Sequence, residues 1–469
     1  MSNLHGYHGQ SLQVDVTSGT AQPKPLNPKL LRTYLGGSGL GTRLLLEHEA
    51  WKHDPLAPES SLVFAFSPLV GSPLTTSAKF AVVSRSPLTG RINDSLASST
   101  FAIAGKRTGH DAILIQGRAA IPSILVIDED NVSLQSAEHL WRLSADQAET
   151  RLREDFGKDY SFAVIGPGGE NLVRYATISH SGRHAGRGGS GAVLGSKNIK
   201  AIAVRGTKRT DWANSEGLVE RARDLSKRSF GPATEKYREL GTAANILVFN
   251  RLRCLPTRNF QRGSFDGSAE LSPEAMNAAR DKMKSSCAVC TIGCTHIYDI
   301  PLDGQTKSTR IEYENLFALG PLCEVRDQQT VLQASQLCDH YGIDTISTGG
   351  TIAFAMECVE RGLLDEPWLR FGDGEALLKA IHLIGQVEGV GKQFALGSRV
   401  LAQTIGNDSI AFAPQVKGLE LPGYEPRALQ TMALGFAVGT RGADHNRSGA
   451  YEVDFMESVD RRNVTIEQA

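Results

Sequence analysis

A short cysteine loop constrains this chain more than any other feature of its sequence. Residues 287–294 hold three of the seven cysteines of the 469-residue chain, Cys287, Cys290 and Cys294, at the spacing C-x2-C-x3-C. Thiols this close in sequence can converge on one metal, and Gly293 can adopt backbone conformations that a chain wrapped around a metal often needs. The loop is interpreted as three ligands of an iron–sulfur cluster. A zinc site and a loop of non-ligating cysteines remain open alternatives.

Composition and charge exclude several classes of protein. The 50 Lys and Arg residues nearly balance the 51 Asp and Glu residues, so no net charge favours nucleic acid or an anionic membrane as a partner. No apolar run reaches the roughly 18 residues of a spanning helix, and the first residues do not read as a signal peptide. An odd number of cysteines, three of them in one loop, argues against a disulfide framework. We expect a cytoplasmic protein.

Hydrophobic periodicity predicts an α+β chain that is β-rich first and mainly helical afterwards. Leu12, Val14 and Val16 alternate with polar residues before a turn, which predicts a hairpin. Further strands are predicted at short apolar runs: residues 62–66, 80–83, 112–115, 124–127, 162–165 and 201–204. Beyond a polar segment at residues 206–211 the apolar spacing becomes helical. Helices are predicted at residues 214–229, 242–251, 272–282, 311–319, 328–341 and 345–360, and from residue 428.

Two glycine-rich segments are candidate anion-binding loops. Residues 35–41 precede a predicted helix, where backbone N–H groups could hold phosphate or the glycines could simply permit tight packing. Residues 183–191 contain Arg183 and Arg187 among glycines, an arrangement that suits phosphate binding, although a solvated loop is the alternative. The second segment does not have the spacing of an ordinary nucleotide-binding motif.

Two further segments have both structural and functional interpretations. Asp339, Gly342 and Asp344 are typical of a helix end followed by a new helix start. His445, in the segment 441–447, could exchange protons near neutral pH, although a lone histidine is more often structural.

Taken together and in this order, these segments resemble the tungsten-dependent aldehyde:ferredoxin oxidoreductase family. The resemblance runs from Gly36 to Arg447 and includes residues 71–79, 86–90, 255–260, 312–314 and 416–420. It implies tungsten, or molybdenum, held by two pterins beside a 4Fe–4S cluster. It also implies oxidation of aldehydes to carboxylic acids, ferredoxin or another protein as electron acceptor, and a homodimer.

The resemblance also divides the chain and assigns roles to residues. It implies a two-sheet cofactor base domain at residues 1–208, a helical domain with the cysteine loop at 209–415, and an incomplete helical domain at 416–469. Glu312 would be the general base and His445 the group that hydrogen-bonds the aldehyde oxygen. Cys287, Cys290 and Cys294 match cluster ligands. The residues that match cofactor contacts are Lys79, where arginine is usual, and Asn93, Arg183, Ala185, Gly186, Gly188, Asp339, Gly342 and Asp344.

The chain departs from the family pattern at its end. No cysteine follows Cys358, and the second pterin motif and the fourth cluster thiolate expected after the histidine segment are absent from the sequence. We therefore expect a truncated or split member of the family. The alternative is a catalytically impaired remnant that binds a cofactor or another protein, against which the presence of Glu312, Asp339 and His445 argues.

Overall fold

The chain divides into two compact units in the computed structural model, which describes residues 4–302 and 304–455. Unit 1 contains residues up to 235 together with two short segments, 286–293 and 339–344. Unit 2 contains residues 236–285, 294–338 and those from 345 onward. Of the predicted third domain, residues 456–469 lie outside the described residues.

Unit 1 is built on two six-stranded sheets. The first has the order β2-β1-β6-β3-β4-β5, and only β1 and β6 pair in parallel. Its strands are β1 (Gln10–Asp15), β2 (Thr20–Pro25), β3 (Leu62–Phe66), β4 (Lys79–Arg85), β5 (Ile92–Ser98) and β6 (Ala112–Gln116). The second has the order β11-β10-β9-β12-β7-β8, with β12 and β7 parallel. Its strands are β7 (Ser123–Asp128), β8 (Asn131–Ser136), β9 (Ser161–Val164), β10 (Ile178–His180), β11 (Arg183–Ala185) and β12 (Ile199–Arg205).

One apolar core joins the two sheets, because side chains from both belong to it, among them Phe64 and Phe80 from the first sheet and Leu125 and Ile202 from the second. The helices of unit 1 are α1 (Pro28–Tyr34), α2 (Gly37–Glu47), α3 (Thr100–Arg107), α4 (Ala145–Phe156), α5 (Pro167–Glu170), α6 (Ser190–Gly195) and α7 (Ser215–Ser229). The helix α2 packs on the first sheet and α4 on the second. The predicted two-sheet, α+β architecture is confirmed.

Unit 2 is mainly helical, as predicted. Its helices are α8 (Glu235–Leu240), α9 (Asn245–Arg251), α10 (Pro273–Ala279), α11 (Tyr313–Leu319), α12 (Gln328–Tyr341), α13 (Thr345–Glu360), α14 (Gly374–Gln386), α15 (Gly391–Phe394), α16 (Ser398–Ile405), α17 (Gln430–Val438) and α18 (Tyr451–Asp454). Residues on every side of α13 are buried, so this helix is central to the unit. In the described part of the chain, no helix combines the length and apolar character needed to cross a membrane.

Unit 2 also contains two small antiparallel sheets that the periodicity did not predict. One has the order β13-β14-β15, formed by β13 (Lys282–Ser285), β14 (Thr295–Leu302) and β15 (Gln305–Ile311). The other is a hairpin of β16 (Gln415–Val416) and β17 (Leu419–Glu420). Strand β15 leads directly to the start of α11, where Glu312 lies.

Candidate active site

A cavity of about 490 Å³ in unit 2 brings Glu312 and His445 together. The residues that line it are Tyr237, Thr242, Asn245, Glu312, Tyr313, Glu314, Tyr424, His445, Asn446, Gly449 and Tyr451. Two carboxylates and an imidazole that share one cavity form the kind of set that proton transfer requires. The two residues that the family resemblance assigned to catalysis therefore line the same cavity.

The Glu314 carboxylate lies beside His445 in this cavity. Glu314 Oε1 lies 3.6 Å from His445 Nδ1, and both side chains are mostly buried. The other oxygen, Oε2, accepts a hydrogen bond of 3.0 Å from the Gly423 amide. This bond fixes one oxygen of the carboxylate while the other faces the imidazole.

Glu312 occupies the N-cap position of α11, where its side chain makes no capping hydrogen bond. The helix start is held instead by Thr242, whose hydroxyl oxygen accepts a bond of 3.0 Å from the Tyr313 amide. Glu312 is therefore not needed as a cap, and its partly exposed side chain lines the cavity. The prediction that Glu312 lies at a helix start is confirmed.

Two buried tyrosines flank these acids. The Tyr313 hydroxyl donates a hydrogen bond to the Gly423 carbonyl oxygen. The Tyr424 ring stacks on the His445 ring, with centroids 5.5 Å apart and planes inclined by 25°. Burial, and then the neighbouring Glu314 carboxylate, raises the pKa of both Tyr313 and Tyr424 well above the ordinary value of a phenol. Both phenols therefore keep their protons.

The segment that carries His445 is held from two sides. Within it, the buried Arg441 and Asp444 form an ion pair of 3.1 Å, and Asp444 accepts a bond of 3.0 Å from the Asn446 amide. From outside, Lys417 Nζ donates a 2.6 Å bond to the Gly439 carbonyl oxygen. Lys417 is the first residue of the turn between β16 and β17, so this hairpin fixes the entry to the histidine segment.

The predicted cofactor residues of unit 1 converge on the loop at residues 183–189. Asn93, on β5, donates bonds of 3.0 Å to the Arg187 carbonyl oxygen and 3.3 Å to Ser190 Oγ. Arg183 and Ala185 begin and end β11, whereas a Cβ on Gly186 would meet nothing within 4 Å. Residues 187–195 are buried, whereas Arg183, His184 and Gly186 are half-exposed.

The segment 339–344 packs against the same loop. Arg187 Nε lies 3.4 Å from Asp344 Oδ2, and His184 Nε2 lies 3.2 Å from Asp339 Oδ1. Gly342 has φ +67°, a conformation that favours glycine and ends α12 before α13 begins. The predicted helix end and new helix start are therefore both present.

Lys79 and residues 286–293 of the cysteine loop belong to unit 1, whereas Cys294 belongs to unit 2. Lys79 is exposed at the start of β4, and the segment just before it contacts residues 286–293. The Thr76 amide donates a 2.7 Å bond to the Val289 carbonyl oxygen, and the Thr291 amide donates a 3.1 Å bond to Thr75 Oγ1. Lys79 therefore follows closely in sequence on Thr75 and Thr76, which hold the cysteine loop.

The donor chemistry of the cysteine loop suits iron, although its thiols do not form a preassembled site. Cys287, Cys290 and Cys294 are half-exposed, whereas the other four cysteines are buried. Burial raises the pKa of the Cys323 and Cys358 thiols to about 12, which disfavours the thiolate form that binds metals. Among the residues that the structure describes, no three His, Cys, Asp or Glu side chains form a group able to hold a metal ion. The loop therefore offers three accessible thiols to a metal.

The loop at residues 183–189 has features that fit the phosphate group of the implied pterin. The loop at 183–189 combines open space beside Gly186 with the cationic side chain of Arg183. Such a combination of exposed backbone and cation suits the phosphate group of a pterin cofactor.

Two site residues were missed by sequence reasoning. Glu314 was part of the motif 312–314, but nothing in the sequence indicates which of two carboxylates separated by one residue approaches the histidine. Tyr424 carries no sequence signal of its own, because its role depends on a ring contact with His445, 21 positions away along the chain.

Comparison with known proteins places both units in one family. Residues 11–206 match the model of the aldehyde ferredoxin oxidoreductase N-terminal domain, and residues 218–469 match that of domains 2 and 3. The tungsten-containing aldehyde ferredoxin oxidoreductase of Pyrococcus abyssi is 39% identical over 457 residues, which cover 94% of this chain and 74% of the relative. The glyceraldehyde-3-phosphate:ferredoxin oxidoreductase of Pyrococcus furiosus is 26% identical over 384 residues, 68% of this chain and 56% of the relative.

A solved structure has the same fold. The active-site complex BamBC of benzoyl-coenzyme A reductase, solved with 1,5-dienoyl-CoA, aligns with a TM-score of 0.81 at 25% identity. The alignment covers 93% of this chain and 70% of the other.

Proposed function

This oxidoreductase belongs to the aldehyde ferredoxin oxidoreductase family, and we propose that it oxidises aldehydes to carboxylic acids and passes the electrons to ferredoxin. The observation that carries the proposal is the cavity in unit 2 that unites His445, Glu314 and Glu312. In the overall reaction a water oxygen is added to the aldehyde carbon, and two electrons leave the substrate together with protons.

Membership of the family implies a tungsten–pterin cofactor. When bound, that group supplies a two-electron acceptor, with molybdenum as the alternative metal. We propose that the loop at residues 183–189, Lys79, Asn93 and the segment 339–344 hold it. The three loop cysteines would hold a 4Fe–4S cluster that transfers electrons onward.

The side chains of unit 2 would bind the aldehyde and move protons. The Glu314 carboxylate beside His445 Nδ1 attracts the ring proton to that nitrogen, which leaves Nε2 for the substrate. The His445 ring would then hydrogen-bond the aldehyde oxygen and stabilise the negative charge that develops there. A cavity carboxylate, Glu314 or Glu312, accepts the proton of the attacking water.

The proposal is tested on protein produced anaerobically with tungstate. Tungsten and iron are measured by mass spectrometry, and the reduction of ferredoxin is followed with a panel of aldehydes. We expect aldehyde-dependent reduction at a rate that scales with tungsten content. Metal-loaded protein that reduces no ferredoxin with any aldehyde would refute the proposal and favour the remnant interpretation.

A further inference from the structure

The walls of the cavity are unusually rich in aromatic rings. Of the eleven lining residues four are tyrosines: Tyr237, Tyr313, Tyr424 and Tyr451. The Tyr424 ring lies between those of His445 and Tyr451, and the Tyr424 and Tyr451 centroids are 5.1 Å apart. Tyr237 and Tyr451 are only half-buried, so their rings present surface to the cavity. A flat, apolar ring is the ligand shape that such walls bind best.

The volume of the cavity also suits a ring. About 490 Å³ lies within the range of roughly 300–1,000 Å³ that small-molecule sites occupy. A two-carbon aldehyde would touch only a small part of this wall, whereas an aryl group would contact the tyrosines while its aldehyde group approaches His445.

The charges of the cavity disfavour anions. Glu312 and Glu314 are the acidic lining residues, and none of the eleven lining residues is Lys or Arg. The Lys236 ammonium lies at the rim, 3.1 Å from Asn245 Oδ1 and 4.9 Å from the Tyr237 ring centroid. Its side chain is exposed, so solvent and salt screen its charge. A phosphate or carboxylate inside the cavity would therefore lie beside two carboxyl groups, with no lysine or arginine in the cavity wall to balance its charge.

We propose that this site selects uncharged aromatic aldehydes over short aliphatic aldehydes and over aldehydes that carry a phosphate or carboxylate. This inference rests on the proposed function, whose substrate class it names. Ring contacts of the kind that Tyr237 and Tyr451 offer should favour benzaldehyde over acetaldehyde by about tenfold in kcat/KM.

The first experiment compares kcat/KM of the metal-loaded protein for benzaldehyde, acetaldehyde and 4-formylbenzoate. A binding measurement accompanies it, in which benzamide, an uncharged aryl compound that does not react, is titrated calorimetrically. The variants Tyr237→Leu and Tyr451→Leu should each lower the ratio of benzaldehyde to acetaldehyde turnover several-fold and weaken benzamide binding. Tyr34→Leu, at an exposed tyrosine of unit 1, is the matched control and should change neither.

A gain-of-function variant tests the charge argument. Asn446 is exposed and lines the cavity, so Asn446→Lys places a cation where none exists among the lining residues. We expect kcat/KM for 4-formylbenzoate to rise about tenfold relative to benzaldehyde. The neutral control Asn446→Gln should leave this ratio as it is in the unmodified protein.

The outcomes separate this inference from the function on which it rests. An unmodified protein that prefers acetaldehyde or 4-formylbenzoate overturns the substrate class while aldehyde oxidation stands. If no aldehyde is oxidised, the proposed function fails, and calorimetry alone decides the inference. Benzamide binding that depends on Tyr237 and Tyr451 then supports an aromatic site, and absence of binding overturns it.

Discussion

The carboxylate observed beside His445 is that of Glu314, whereas the family resemblance names only Glu312 as a catalytic acid or base. The resemblance assigns the base to Glu312, and the structure places Glu312 in the cavity but brings Glu314 within 3.6 Å of the imidazole. Both residues lie at the start of α11, separated only by the buried Tyr313. The sequence shows that two carboxylates lie close together in the chain. It does not show that the Gly423 amide, more than 100 residues away, fixes Glu314 beside His445.

Replacing each carboxylate by its amide distinguishes their roles. Glu314→Gln should keep its metals but lose about 100-fold in kcat/KM, because a positioned proton-transfer group contributes about that much. It should also change the pH dependence of turnover, since His445 loses its charged neighbour. Glu312→Gln is the matched variant, and the measurement is kcat/KM against pH for both at equal tungsten content. If Glu312→Gln alone lost activity, the base would be Glu312, as the resemblance implies.

Only glycine fits at position 188 of the predicted cofactor loop, because the Asn93 side chain occupies the space that a Cβ would need. The φ of Gly188 is +84°, and a Cβ there would lie 2.1 Å from Asn93 Oδ1. We expect Gly188→Ala to destabilise the protein by about 1–3 kcal/mol, because it combines backbone strain with a clash at a buried amide. Gly186→Ala is the matched control, since a Cβ there meets nothing within 4 Å. Thermal unfolding measures both, and equal melting temperatures would contradict the packing described here.

At the scale of elements, helices were easier to predict than small sheets. The predicted bounds of α12 and α13 coincide with those observed. In α12 the apolar residues recur at helical spacing over fourteen residues, whereas α13 is an apolar segment of sixteen residues that is buried on every side. The sheet of β13, β14 and β15 was missed. Its first strand is the polar Lys282–Ser285, and β14 contains Pro301, which argues against a strand when read from sequence alone.

Residues 416–420, a motif identified only through the family resemblance, form most of the β16–β17 hairpin. Its turn residues Lys417 and Gly418 have φ of +58° and +89°, and Lys417 Nζ reaches the Gly439 carbonyl oxygen. The hairpin also packs on Gly442, where a Cβ would lie 2.3 Å from the Val416 carbonyl oxygen. The hairpin is therefore a support for the segment that carries His445.

Lys417→Met should loosen that support while keeping most of the side-chain volume. We expect kcat/KM for aldehydes to fall about tenfold and the pH profile of turnover to change, because a small displacement of a catalytic group is costly. Lys392→Met removes an exposed lysine of α15 in the same unit and serves as the control. A Lys417→Met enzyme whose kcat/KM and pH profile match those of the control would show that the hairpin does not position His445.

At the scale of the whole molecule, two short segments of the helical half belong to unit 1. Residues 286–293 and 339–344 are surrounded in sequence by unit 2, yet they pack with residues from the β-rich region. The Asp344 amide donates a 3.0 Å bond to the Tyr175 carbonyl oxygen, and Val289 accepts from Thr76. Sequence patterns report local periodicity, so they predicted the motifs within these segments but could not predict contacts that span more than 150 residues.

The membership of residues 286–293 in unit 1 gives the cysteine loop a firm base before any metal binds. Cys290→Ala should therefore remove most of the bound iron without unfolding the protein, because the hydrogen bonds of Thr291 and Val289 to unit 1 remain. Cys358→Ala is the control: this thiol is buried in α13, burial raises its pKa to about 12, and the iron content of the variant should be unchanged. Iron, zinc and acid-labile sulfide per chain are measured on anaerobic protein, with thermal unfolding as the check on folding. Stoichiometric zinc without sulfide would establish the zinc alternative, and iron retained by a folded Cys290→Ala protein would remove this thiol from the cluster.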